Sequence, residues 1–330
     1  MQSGGVRRTS FALMRSLEEI GGCVEVDARI KSNPLDAAAP RHSKLLTARM
    51  VAADTRREIL GDPSARVVHS LYFDHAMLAS KRPVALTVYD MIHERFGFGS
   101  WILPAMKRVL VGRADVVIAI SQTTANDAQQ YFPGVKKVEV IPLAVPDEFV
   151  NTPRDPAANR QFVLHVGQRR RHKNFSILLD AYRISPALRA LPLVCVGGSE
   201  MTPEEQGAIV LATGRPADHR MRVSDAELMR LYDNALVAVV PSLWEGFGLP
   251  VIEAMVRRTP VACSDAGSLA EAADGHAALF DPVSAEDCAA AILRSTTLND
   301  EALESAQAYA SMFTWRRYAA AHMALYSAME

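Results

Sequence analysis

Residues 236–264 run strand, turn, helix and second strand without a break, and this stretch constrains the chain most. LVAVVPS ends near Ser242, and a second apolar run covers Val261–Ser264. Between them a turn holds Glu245, Gly246, Phe247 and Gly248, and a helix opens at Pro250. Proline suits a first helical position because the N–H it lacks would be unpaired there anyway. The amides of Phe247, Gly248 and Leu249 then precede a helix N-terminus, where open donors and the helix dipole favour an anion. Glu245 starts this turn and Glu253 sits about one turn into the helix. A carboxylate can accept from a pair of neighbouring hydroxyls, so a ligand with phosphates and diols, such as a nucleotide sugar, suits the group. Taken singly, Glu253 also fits as a first-turn acid and Glu245 as a solvated loop residue.

The same alternation runs through most of the chain. Strands are predicted at residues 23–28, 65–71, 84–89, 116–121 and 137–143, with Ser121 as N-cap of a helix starting near Thr123. A second series follows at residues 162–167, 193–197, 221–223, 236–242, 261–264 and 278–280. Helices are predicted between them at 176–184, 203–213, 225–234, 250–257 and 285–298, and a last one at 315–329. Short apolar runs alternating with amphipathic helices predict an α/β chain of parallel, doubly wound sheets. The proline-rich, aperiodic residues 145–161 form the best linker between two halves. The expected domains are residues 1–150, residues 151–312 and a final helical piece, 313–330. Two Rossmann-like domains would bind ligand at the C-terminal ends of their strands, in a central cleft closed by the linker acting as a hinge.

A net charge of −1 gives no basic excess for a nucleic-acid binder. The four cysteines, Cys23, Cys195, Cys263 and Cys288, lack metal-type spacing, and most fall in apolar runs. With no long uncharged apolar run and an N-terminus lacking an apolar signal core, a cytoplasmic setting is expected.

Chemistry-bearing residues cluster at predicted strand ends. VGQRRRHKNF leaves its strand at Gly167 and brings Arg169 and Lys173, suited to neutralise a departing diphosphate. Such a run also fits a solvated basic loop. TVYDMIHERF places Tyr89, Asp90 and His93 past a strand end in the first half. Asp90 and His93, three apart, would pair to deprotonate an acceptor, or His93 is an ordinary loop histidine. Gly4 and Gly5 would let backbone approach a ligand closely. Arg7, Arg8 and Arg15 beside Phe11 and Leu13 fit either peripheral membrane contact or packing on the sheet.

EGFGLPVIE, VGQRRRHKNF, GGVRRTSFALMRSL, TVYDMIHE, VSDAELMRLYDNA and FTWRRYAAAHMALY together resemble the retaining GT-B glycosyltransferases of family 4, the "glycosyl transferases group 1" type that includes bacterial mannosyl- and glucosyltransferases. The resemblance implies transfer of a hexose, mannose favoured, from a nucleotide diphosphate sugar such as GDP-mannose to a hydroxyl acceptor, with retention. It implies that Glu245 contacts the donor sugar, Glu253 the ribose, and the amides near Gly246, Phe247, Gly248 and Leu249 the sugar and diphosphate. Arg169 and Lys173 would hold the diphosphate, and Gly4, Gly5, Tyr89 and Asp90 would belong to the acceptor side. The acceptor would be a glycan or lipid-linked sugar of surface-polysaccharide assembly; no metal and no cofactor beyond the donor is implied.

Three features depart from the family pattern. Tyr89 stands where a histidine usually precedes the Asp, with His93 as a substitute. Gln168 takes the place of an arginine, and Arg169 is one further on. Only Met1–Ser3 precede the glycine loop, so either the true start lies upstream or the N-terminal sheet lacks its first strand, and the N-terminal half is expected to be the less stable one. Two other readings stay open: a nucleotide-sugar epimerase or hydrolase on the same plan, and a non-catalytic donor-binding or assembly relative. A dinucleotide oxidoreductase fits poorly, because no G-x-G-x-x-G follows an early strand.

Overall fold

The computed structural model describes residues 9, 12–13, 15–17, 19–20, 66–73, 75–97, 102–169 and 171–330. Gly4, Gly5, Arg7, Arg8, Phe11, Cys23, Arg170, the strand predicted at 23–28 and the expected loss of a first strand lie outside them. The chain forms two compact units, Met1–Leu143 with Trp315–Glu330, and Ala144–Thr314.

The first unit carries a parallel sheet in the order β1 (Val68–Ser70), β2 (Val84–Val88), β3 (Val116–Ala119), β4 (Val138–Val140). Every residue of β2 and β3 is buried, which explains their near-continuous apolar sequences, broken only by Thr87. Ser121 caps helix Gln122–Tyr131 as expected, its hydroxyl accepting from the Thr124 amide at 3.0 Å. Leu13 and Leu17 are core residues, 2% exposed each. Leu13 is therefore committed to packing and is withdrawn from the membrane-facing set.

The last helix, Trp315–Met329, packs within this unit, burying Trp315, Tyr318, Ala319, His322 and Leu325. His69 on β1 ties it down: its ring contacts Tyr326 Oη at 2.6 Å and Thr87 Oγ1 at 2.8 Å, and stacks on His322 with centroids 5.4 Å apart. Burial holds His322 neutral, with its pKa lowered to about 4.

The second unit has six parallel strands in the order β10 (Ala278–Phe280), β9 (Val261–Ser264), β8 (Ala235–Val240), β5 (Phe162–Val166), β6 (Leu193–Val196), β7 (Asp218–Arg220). From β5 the chain adds β6 and β7 on one side, then crosses to β8 and continues outward on the other. The order reverses between β5 and β8, and a doubly wound sheet opens its ligand crevice at such a switch point.

Three boundaries differ from expectation. The strand predicted at 221–223 is formed by Asp218–Arg220 instead, pairing His219 with Cys195. It is an edge strand, where polar side chains are tolerated and apolar patterning gives no guide. The helix predicted at 285–298 stops at Ser295, and Asn299 caps a further helix, Asp300–Ala310, through the Ala302 amide. Residues 145–161 are no free linker. They hold a short helix, Asp147–Asn151, and belong with the second unit. Arg257, 3% exposed, donates to the carbonyls of Phe149, Thr152 and Pro153 while pairing with buried Asp233 at 2.7 Å. A buried guanidinium with this many acceptors fixes the segment it touches, because each acceptor lost would leave an unpaired buried charge.

Candidate donor site at the switch point

The loops after β5 and β8 leave adjacent parallel strands at the same edge of the sheet, on either side of the switch point. The β5 loop winds into a 3-10 turn, Arg171–Lys173, and the β8 loop leads to helix Leu249–Val256. A backbone bond joins them, Leu243 N–H to His172 O at 2.7 Å. The neighbouring side chains meet in turn. Lys173 Nζ donates to Glu245 Oε1 at 2.6 Å, and Ser242 Oγ donates to the same oxygen at 2.6 Å. Both partners are shielded without being sealed, with the Lys173 and Glu245 side chains 26% and 14% exposed. Glu245 is held through its backbone as well, its carbonyl accepting from Ser268 Oγ at 2.9 Å.

Gly267 makes this packing possible. It has φ +60°, and a Cβ there would lie 3.1 Å from both the N and the O of Glu245. Gly248 plays a similar part at the helix start, with φ +103° and a would-be Cβ 3.0 Å from Leu269 Cδ2. No side chain caps this helix. The amides of Phe247, Gly248 and Leu249 make no bond among the described residues, so the helix end presents open donors. The Phe247 ring is buried and packs edge-on against Phe313, centroids 5.7 Å apart. Its side chain anchors the turn, and only its backbone is offered to a ligand. Gly167 ends β5, its amide donating to Val196 O at 2.8 Å.

Glu253 lies on the next turn of the helix, half-buried, and its Oε2 accepts from Tyr232 Oη at 3.0 Å. Tyr232 is wholly buried, and burial together with the Glu253 charge pushes its phenol well above the ordinary range, so it acts as a neutral donor.

Arg169 stands elsewhere than its sequence position suggests. It is 7% exposed, and its Nη1 donates to Gly197 O at 2.9 Å and meets His219 Nε2 at 3.0 Å. Its Nη2 donates to Ser199 O at 2.5 Å and lies 3.5 Å from Glu205 Oε2. The guanidinium braces the ends of β6 and β7 against the β5 exit. Holding a diphosphate would mean surrendering those buried acceptors, so the expected role of Arg169 as a diphosphate ligand is withdrawn. Sequence reasoning also passed over His165 beneath the β5 loop. It is buried, with its two ring nitrogens each 3.3 Å from a carbonyl, those of Val239 and Gln168. Burial, aided by the positive charges of Lys173 and Arg169, lowers its pKa to about 4 against the pull of the two carbonyls.

In the first unit, Asp90 and His93 do not pair. Asp90 Oδ1 accepts from the Ile92 amide at 3.1 Å and so starts the short helix Ile92–Phe96, on which His93 sits half-exposed. The expected acid–imidazole couple is absent among the described residues, because Asp90 is engaged by local backbone instead. Tyr89 follows β2 with its hydroxyl buried and without a hydrogen-bond partner among the described residues, and its ring lies 6.5 Å from that of Tyr72. Burial raises its pKa, so it titrates too high to serve as a base.

Two family models match this architecture half by half. "Glycosyltransferase Family 4" covers residues 3–149, and "Glycosyl transferases group 1" covers residues 151–311. The chain belongs to the GT-B glycosyltransferases of family 4 type. Among its relatives, O-antigen chain mannosyltransferase B of Escherichia coli is 28% identical over 61% of this chain and 58% of its own length. The serotype-specific mannosyltransferase WbdA of Escherichia coli is 29% identical over 64% of this chain and 28% of its own. The chain thus spans little more than half, or less, of the length of these relatives. Among solved structures, sucrose-phosphate synthase from Thermosynechococcus elongatus superposes with a TM-score of 0.73 at 20% identity, covering 99% of this chain and 94% of that one. A glycosyltransferase from Rickettsia africae gives 0.70 at 16% identity, covering 100% and 96%. These likenesses show the fold, two parallel-sheet α/β domains of GT-B type.

Proposed function

We propose that the chain transfers a hexose, with mannose from GDP-mannose favoured, from a nucleotide diphosphate sugar to a hydroxyl of a glycan or lipid-linked acceptor, with retention. The observation that carries this reading is the Lys173–Glu245 pair at the switch point, beside an uncapped helix N-terminus. A lone anion site would need only the cation and the amides. The carboxylates of Glu245 and Glu253 add hydroxyl acceptors, which fits a ligand joining a diphosphate to two sugars.

In the proposed step the C1–O bond to the diphosphate breaks and a bond from the acceptor oxygen to C1 forms on the same face. The acceptor proton passes to the departing phosphate oxygen. Lys173 and the amides of Phe247–Leu249 meet the charge growing on that diphosphate, where preorganised donors act most strongly. Glu245 positions the sugar through its hydroxyls, and Glu253 holds the ribose diol. No protein base is needed, which suits a first unit in which Asp90 and His93 stand apart. Mannose is favoured because several relatives bear mannosyltransferase names.

The buried free thiols of Cys195, Cys263 and Cys288 suit a reducing, cytoplasmic setting. Among the described residues no helix is long and apolar enough to cross a membrane, so a lipid-linked acceptor would be met by peripheral contact. Incubating the protein with GDP-mannose, UDP-glucose or ADP-glucose and a panel of glycan acceptors tests the reading. An α-linked product from an α-linked donor, read by the anomeric NMR coupling, is the expected result. Inversion, or free sugar with every acceptor, would overturn it.

A further inference from the structure

The pair formed by Tyr232 and Glu253 carries one consequence beyond that reading, on which it rests. Glu253 is held from beneath by the preceding helix. Tyr232, near the end of helix Asp225–Asn234, is wholly buried, and its hydroxyl donates to Glu253 Oε2 at 3.0 Å. Tyr232 is in turn anchored through its ring, its backbone and its neighbour. Its ring meets Phe149 edge-on with centroids 6.2 Å apart, and its carbonyl accepts from Thr259 Oγ1 at 2.7 Å. The adjacent Asp233 clamps Arg257, just past the end of the Glu253 helix, with bonds of 2.8 and 2.7 Å. Two parallel ties therefore join the helices, Tyr232 to Glu253 and Asp233 to Arg257.

An ordinary glutamate on a helix surface samples several rotamers, and fixing it on ligand binding costs affinity. A buried donor on one oxygen fixes the rotamer beforehand. The phenol, kept neutral by its burial, gives that hydrogen bond without adding a second charge. We infer that Tyr232 is the positioning residue for the ribose carboxylate: it orients Glu253 through Oε2 so that the carboxylate meets the 2′- and 3′-hydroxyls of the nucleotide already aligned. Phe149 seats the phenol, so the segment that opens the second unit takes part in shaping the donor site.

The test compares each nucleotide with its 2′,3′-dideoxy form. GDP, UDP and ADP are titrated calorimetrically into the unmodified protein, and whichever binds is repeated as the dideoxy nucleotide with Tyr232→Phe. The expected result is a loss of about 5- to 10-fold in affinity for the ribonucleotide, the net size of one typical hydrogen bond, and under 2-fold for the dideoxy form. Equal losses for both forms, or no loss for either, overturn the inference while leaving the donor reading intact. Should none of the three bind the unmodified protein, the donor reading itself falls and this inference with it. Phe149→Leu keeps the hydroxyl but loosens its seat, and it must show the same preference for the ribonucleotide, so the comparison survives if the tyrosine variant does not fold.

Discussion

Lys173 and Glu245 meet through a single carboxylate oxygen. Lys173 Nζ lies 2.6 Å from Glu245 Oε1, and Ser242 Oγ donates to that same atom at 2.6 Å. Two donors on Oε1 orient the carboxylate and leave Oε2 as the face offered to a ligand. The ammonium is likewise positioned before a diphosphate arrives, and half-compensated by the carboxylate it holds. The pair sits across the switch point, so each partner is supplied by a different βα loop.

From this follows a graded set of losses. Glu245→Ala would remove the proposed sugar contact and free Lys173, and transfer should fall by about 100-fold or more, in the range of losing one preorganised electrostatic group. Ser242→Ala leaves the pair but loosens it, and kcat/KM should fall by about 5- to 10-fold, the net size of one typical hydrogen bond. Steady-state kinetics check the order; equal losses would mean that Ser242 does more than orient.

Arg169 should behave as a structural residue. Replacing it with alanine removes a buried guanidinium from the carbonyls of Gly197 and Ser199 and should cost about 3 kcal/mol of stability, as for removing one partner of a buried charged network. The urea midpoint should drop, while nucleotide affinity measured on the folded fraction changes under about 3-fold. A large loss of affinity with stability unchanged would restore the diphosphate role.

Stability should fall in mild acid. His165 and His322 are held neutral with pKa values of about 4. The unfolded chain takes up these protons near pH 6.5 and the folded protein only near pH 4. Their contribution is therefore complete above about pH 6.5 and is lost as pH drops towards 4. At pH 5 each histidine should cost about 2 kcal/mol relative to pH 7 by this linkage. The two lie in different units, so His165→Asn should flatten the pH dependence of the second unit alone. Urea unfolding followed by hydrogen exchange in each unit reads this directly.

Much of this was legible in the sequence because parallel strands buried on both faces read as near-continuous apolar runs. LTV within β2 and AVV within β8 could hardly be placed otherwise. The donor-site turn was legible for a related reason: glycines at a strand exit followed by Pro250 narrow the backbone to one geometry. Edge strand Asp218–Arg220 was not, since an edge needs no apolar pattern. Nor was the direction of Arg169. Its neighbours Gly197, Ser199 and His219 come from 28 to 50 residues away, and only the sheet order brings them together. The Asp90–His93 spacing suggested a pair that local backbone bonding pre-empted. Tyr232 lay within the helix predicted at 225–234, and nothing in that pattern marked the partner of its hydroxyl.

The claim at the centre is that Lys173 and the switch-point turn bind the diphosphate of a nucleotide sugar. Calorimetric titration of GDP-mannose, with UDP-glucose and ADP-glucose alongside, into the unmodified protein and the Lys173→Ala variant tests it most directly. The account predicts saturable one-site binding for at least one donor, weakened about 30-fold or more in the variant, as for removing a charged partner from a partly buried anion. Binding of equal strength to both proteins, or no binding of any donor to the unmodified one, would contradict it.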